Sequence, residues 1–199
     1  MISLNNEILI YKDKLIETLN KINIEAINEV IKKIIEVLNN EGTIYVFGNG
    51  GSASTASHLQ NDFNKGISHF SSKKFNVNCL SDNVAIITAI ANDISYDEIF
   101  RYQLRGRLKN NDLIIAISCS GNSKNVLNAA SYAKSMNIPV ISFTGFDGGQ
   151  LKKYTDYHLN VEIEDMQIAE DIHLMLIHLI TSVLIKEFQN VLKENCHEF

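Results

Sequence analysis

A single proline, no tryptophan and three cysteines occur in the 199 residues. With Pro139 alone, no proline-rich linker divides the chain, and neither an internal repeat nor a low-complexity tract does so. Cys79, Cys119 and Cys196 are odd in number and lack paired spacing. That excludes a disulfide framework and points to a reducing, cytoplasmic compartment. A basic surplus is missing too. The chain carries 18 Lys and Arg against 23 Asp and Glu, a net charge of −5, so no field exists to hold a nucleic-acid backbone. A local site for one phosphate stays open. The N-terminal MISLNNEILIYKDKL has an early acid and no cationic stretch before an apolar core, unlike a signal peptide. No uninterrupted apolar run approaches the ~20 residues of a membrane span. The longest, 172–185, is broken by His173, His178 and Thr181. The expectation is a protein with neither nucleic acid nor membrane as a partner.

What is present is a core-forming composition, 45% hydrophobic and 21% charged, enough for one compact domain. Two helical patterns fill residues 1–41. Ile8, Leu9, Tyr11, Leu15 and Leu19 form one stripe, and Ile27, Val30, Ile31, Ile34, Ile35 and Leu38 the other, with Gly42 as the stop. From 42 to 165 short β-branched runs (43–47, 75–80, 113–118, 139–144, 157–162) alternate with helical patterns (52–64, 83–104, 122–136). A last helix covers 166–190. This alternation predicts an α/β fold: a parallel sheet with helices on both faces, ligands lying beyond the carboxyl ends of its strands.

The strand ends are unusual. The first leads into Gly48-Asn49-Gly50-Gly51-Ser52. Glycines permit positive φ and close backbone approach, and a helix N-terminus attracts an anion. No Gly-Lys-Ser/Thr follows, so this is not a nucleotide P-loop. The third strand leads into Ser118-Cys119-Ser120-Gly121-Asn122-Ser123, where hydroxyls and helix amides together suit one phosphate. Ser123 also fits a plain N-cap, and FTGFDGG (143–149) a structural turn. His58 and Asp62, at i and i+4, share a face some 10 Å along the helix from the first turn. That is about the length of a sugar phosphate. Glu170, His173 and His178 interrupt the apolar last helix. Each histidine there also fits a core residue hydrogen-bonded within a helix bundle.

GNGGSASTASH, AIANDISYDEIF, ISCSGNSKNV, FTGFDGG and EDIHLMLIH, in this order from about residue 5 to 188, resemble the sugar isomerase (SIS) domain, and within it the phosphoheptose isomerases. The resemblance implies a flavodoxin-like five-stranded parallel sheet with an N-terminal helical extension, residues 1–199 forming one SIS domain. It implies conversion of sedoheptulose 7-phosphate to D-glycero-D-manno-heptose 7-phosphate by enediolate proton transfer. It further implies a homo-oligomer, a tetramer with sites at subunit interfaces. Substrate contacts then fall on Asn49, Gly50, Gly51, Ser52, Asn92, Asp93, Ser118, Cys119, Ser120, Ser123 and Glu170. Catalytic roles fall on Asp62 and His178, and zinc ligands on His58, Asp62, Glu170 and His178.

Two positions depart from that pattern: Asp62 stands where the family has glutamate, and Glu170 where it has glutamine. Asp is one methylene shorter. Glu170 and His178 would also lie about 12 Å apart on an unbroken helix. They share a site only if they lean together, if the helix starts late, or if two subunits contribute. The same subfamily includes a protein that binds the replication initiator and is not known for catalysis; an adaptor of that kind is expected to carry the sugar-binding turns with a degraded acid–histidine pair. Both members are present here, which favours an isomerase, of this ketose phosphate or another.

Overall fold

The computed structural model describes residues 4–196, with side chains through residue 190, so the Cys196 side chain lies outside the described residues. Helices α1 (Leu4–Leu19) and α2 (Ile24–Asn39) precede the sheet. Strand β1 (Thr43–Phe47) leads to α3 (Gly51–Asn61), which passes into a π-helical turn at Asp62–Gly66. Then follow β2 (Asn76–Cys79), α4 (Val84–Asp93), α5 (Ile99–Leu104), β3 (Leu113–Ser118), α6 (Lys124–Ser135), β4 (Val140–Gly145), β5 (Tyr157–Val161) and α7 (Met166–Cys196). All strand pairs are parallel, in the order β2-β1-β3-β4-β5. This is the flavodoxin-like arrangement, whose topological switch point lies between β1 and β3.

The alternation along each strand divides the core in two. Ile44, Val46, Leu113, Ile115 and Ile117 face α2, α3 and α7, while Tyr45, Phe47, Ile114 and Ala116 face α4, α5 and α6. Both faces are covered, so β3 and β4 are buried throughout, as parallel strands require.

Three local outcomes differ from the sequence pattern. The apolar period over 83–104 is broken between α4 and α5, where Ser95 is extended (φ −174°, ψ 157°). Glu41, with φ 55°, makes the turn after α2; Gly42 is needed instead because a Cβ there would lie 1.9 Å from the Asn111 carbonyl oxygen. Residues Met166–Asn190 of α7 are long and apolar enough, by length and composition, to cross a membrane even with the interruptions at His173, His178 and Thr181, but 44% of the apolar window is buried inside the protein. Ile168, Ala169, Ile172, Leu176, Ile177 and Ile180 dock it on the sheet, so it is a core helix. Helix α1 is different: Leu4, Ile8, Leu9 and Ile16 are exposed, and Tyr11 Oη donates a hydrogen bond to Asp171 on α7.

His173 sits wholly inside the core. Its Nε2 lies 3.0 Å from the Thr144 carbonyl oxygen and must donate, which leaves Nδ1 as acceptor. Burial pushes its pKa down to about 4. Below the ordinary histidine range the unfolded chain therefore binds a proton that the native chain refuses. Stability present at neutral pH should be lost as pH falls from ~6.5 towards 4, by about 3 kcal/mol from this group. Urea unfolding across that range should show the loss, and His173→Gln should flatten it.

Candidate active site

The two glycine- and serine-rich turns meet at the switch point. A cleft of about 110 Å³ is lined by Asn49, Ser52, Ile117, Ser118, Cys119, Ser120, Ser123, Met166 and Glu170. Helices α3 and α6 both begin here, and neither is capped by a side chain. Ser123 holds the cap position of α6, but its Oγ accepts instead from Ser118 Oγ, 3.4 Å away. Uncapped amides and hydroxyls at two helix N-termini suit an anion. Gly50 takes φ +54°. The third turn braces the second: Leu151 N donates to Gly121 O, and Gln150 N to Asn122 Oδ1.

Cys119 is part of this wall and is not an activated nucleophile. Its thiol lies 3.8 Å from His173 Nδ1, the acceptor, so the sulfur carries the proton. Burial, and then the neighbouring Glu170 carboxylate, raise its pKa to about 11. Cys79 is raised to about 12, chiefly by burial.

Along α3 from this cleft, His58 meets α7. His58 Nε2 is 2.8 Å from His178 Nε2 and 3.4 Å from Asp62 Oδ2. The two ring nitrogens lie at hydrogen-bonding distance. The π-helical turn begins at Asp62 and is pinned to the edge strand, where Asn64 donates to Val77 O and accepts from Val77 N. A π-helical turn marks functional positions in many helices, and here it carries the acid. An open hollow of about 570 Å³, lined by Ser54, Ser57, His58, Asn61, Ser81 and Asp82 among others, flanks the same helix.

The structure thus unites three of the four expected metal ligands. One donor atom from each of His58, Asp62 and His178 lies within 4.8 Å of the others. Two imidazoles and a carboxylate are a donor set that can hold zinc. Glu170 is not among them within one chain. Helix α7 is unbroken from Met166, so eight residues separate Glu170 from His178 by about 12 Å. Glu170 lies instead against Gly51, where a Cβ would come within 2.3 Å of its Oε2. Asn92 and Asp93 are not at this cleft either. They are exposed at the end of α4, Asn92 Nδ2 donating to Asp93 Oδ1 at 2.8 Å, and Asp93 borders a separate groove with Arg105 and Arg107.

Two residues that the sequence does not single out complete the picture. Asn125 and Tyr96 both hydrogen-bond the side chain of Asn49. Asn125 leaves a trace as a polar residue on the inward face of α6, but its partner lies 76 residues away.

The SIS domain sequence profile matches residues 10–145. Phosphoheptose isomerase of Helicobacter pylori (strain ATCC 700392 / 26695) is 35% identical over 185 residues, 93% of this chain and 95% of the relative. A protein of Thermoplasma acidophilum named probable phosphoheptose isomerase is 38% identical over 169 residues, 84% and 91% of the two chains. Among solved structures, phosphoheptose isomerase from Neisseria gonorrhoeae superimposes with a TM-score of 0.84 at 28% identity, covering 92% of this chain and 98% of that one. The enzyme from Francisella tularensis gives 0.85 at 26%, covering 93% and 100%.

The neutral thiols yield a direct check. In the native protein at pH 8, iodoacetamide should label Cys79 and Cys119 far more slowly than in urea, as peptide mass spectrometry reads. Rapid native labelling of Cys119 would contradict the buried, protonated sulfur.

Proposed function

The chain belongs to the SIS domain family, and from that premise we propose that it is an aldose–ketose isomerase converting sedoheptulose 7-phosphate to D-glycero-D-manno-heptose 7-phosphate. One observation carries this reading. Helices α3 and α7 set the hydroxyl-lined cleft at one end, where Gly51 meets Glu170, and the His58–Asp62–His178 cluster at the other. The ends are about 10 Å apart along α3, a span matching a ketose with its phosphate at the far end of the carbon chain.

Ser52, Ser118, Ser120 and Ser123, with the uncapped helix ends, hold the phosphate. Gly50 and Gly51 let the backbone approach it, and Asn49 and Cys119 complete the wall. At the other end Asp62 acts as the base. It takes a proton from C1, the electron pair becomes the C1–C2 double bond, and the charge falls on O2. His178 returns a proton to C2 while the O1 hydroxyl proton passes to O2, which leaves an aldehyde at C1. His58 orients both groups. The same three side chains fit a divalent metal such as zinc, which when bound supplies Lewis-acid polarisation of the carbonyl.

We read residues 1–199 as a single SIS domain acting in the cytoplasm as a homotetramer. The exposed apolar side chains of α1 supply the contact between copies. Asn92 and Asp93, which do not line their own chain's cleft, then reach the substrate of a second copy.

Product formation from sedoheptulose 7-phosphate, followed by NMR, tests the reading. Ser120→Ala with Ser123→Ala should raise KM about tenfold or more with the fold intact. His178→Ala should lower kcat by about 100- to 10,000-fold. Full activity in His178→Ala would refute the site, and a native protein that binds the ketose phosphate without turning it over would favour the adaptor.

A further inference from the structure

Asn49 is the one side-chain amide among the described residues that line the cleft, and its side chain is nearly spent on the protein itself. Its Nδ2 donates to Asn125 Oδ1 at 2.9 Å, and its Oδ1 accepts from Asn125 Nδ2 at 3.0 Å. The Tyr96 hydroxyl donates to the same Oδ1 at 2.9 Å. An amide oxygen has two lone pairs and an amide nitrogen two protons. Both lone pairs are therefore used, and one N–H remains. Asn49 is held as a pure donor, its amide unable to flip without breaking three hydrogen bonds.

The brace has its own foundation. Asn125 is 2% exposed, and its Oδ1 also accepts from Val126 N at 2.9 Å. One turn further along α6, Asn128 Nδ2 donates to Asp97 O at 3.0 Å. Helix α6 thus fixes the Asn49 partner with one residue and the segment bearing Tyr96 with another. Tyr96 itself is 55% exposed and contributes little to the core, so its hydrogen bond to a cleft residue 47 positions away has no packing role to explain it.

We propose that Tyr96 and Asn125 are positioning residues that orient Asn49 so that its remaining N–H meets an oxygen of the bound sugar phosphate. The inference rests on the ligand class proposed above and extends it to residues outside the cleft wall. It also gives the segment between α4 and α5 a hold on its own chain's site, which Asn92 and Asp93 do not supply. The brace selects for a ligand that presents an acceptor at this point, a phosphoryl or carbonyl oxygen.

A double-mutant cycle tests it. Burial makes Asn125 a risky substitution, so Tyr96→Phe is the primary variant. It is made in the native chain and in Asn49→Ala, and calorimetric affinity for sedoheptulose 7-phosphate and for inorganic phosphate is measured with steady-state kinetics and Tm. We expect Tyr96→Phe to weaken ketose-phosphate binding and raise KM by about three- to tenfold, with kcat within about twofold and Tm unchanged. In the Asn49→Ala background it should have no further effect. An unchanged affinity in the native background would overturn the inference, as the hydroxyl would then be a surface bond only. An equal loss in both backgrounds would also overturn it, because Tyr96 would then touch the ligand itself. A native protein that binds neither probe would overturn the functional reading, and this inference with it. Native binding with a silent Tyr96→Phe overturns this inference alone.

Discussion

The side-by-side packing of α3 on α7 is the constraint on which the site depends. The helices touch at Gly51 with Glu170 and again at His58 with His178, seven and eight residues further along. At about 1.5 Å per residue, two nearly equal steps keep the helices in step for two turns. Each helix follows a strand and starts at the carboxyl edge of the sheet, so one sheet edge sets the origin of both. Ile168, Ile172 and Leu176 on α7, with Ala56 and Leu59 on α3, belong to one core beneath them. Hydrophobic burial thereby fixes the distance between the hydroxyl-lined cleft and the His58–Asp62–His178 cluster.

The electrostatics of the two ends are opposed. In the proposed function the phosphate end relies on helix amides and hydroxyls. Among the cleft-lining side chains the one formal charge is Glu170, negative and pressed on Gly51. Its field already reaches Cys119, whose thiol it helps keep protonated. A glutamine, the family residue implied by resemblance, would spare a bound phosphate that repulsion. This chain carries the acid, so in the proposed function phosphate is held by donors alone. The far end concentrates imidazole and carboxylate instead, suited to moving protons or holding a cation.

Much of the architecture was legible because buried parallel strands write themselves as continuous apolar runs. LIIAIS is one, and the structure places all six of its residues in the interior. His58 and Asp62 were legible as a pair because i, i+4 spacing needs no tertiary information. The break after α4 was not, since the isoleucines on either side keep a helical period while Ser95 turns extended. The π-helical turn was hidden likewise, because a shift of one hydrogen bond leaves the apolar pattern intact. Glu170 could be placed only once α7 proved unbroken. Asn125 and Tyr96 were beyond reach. Asparagine and tyrosine carry no signature of partnership, and what gives them meaning is contact across long stretches of chain.

The central claim is that the site is a ruler, with phosphate at one end and proton transfer at the other. The most direct measurement is kcat/KM for ketose 7-, 6- and 5-phosphates, with inhibition constants for those that are not turned over. The account predicts that all three compete for the cleft with similar affinity. Only the seven-carbon ketose should be isomerised efficiently, because only its C1–C2 bond reaches the His58–Asp62–His178 cluster. Equal turnover of the five- and seven-carbon substrates would contradict it.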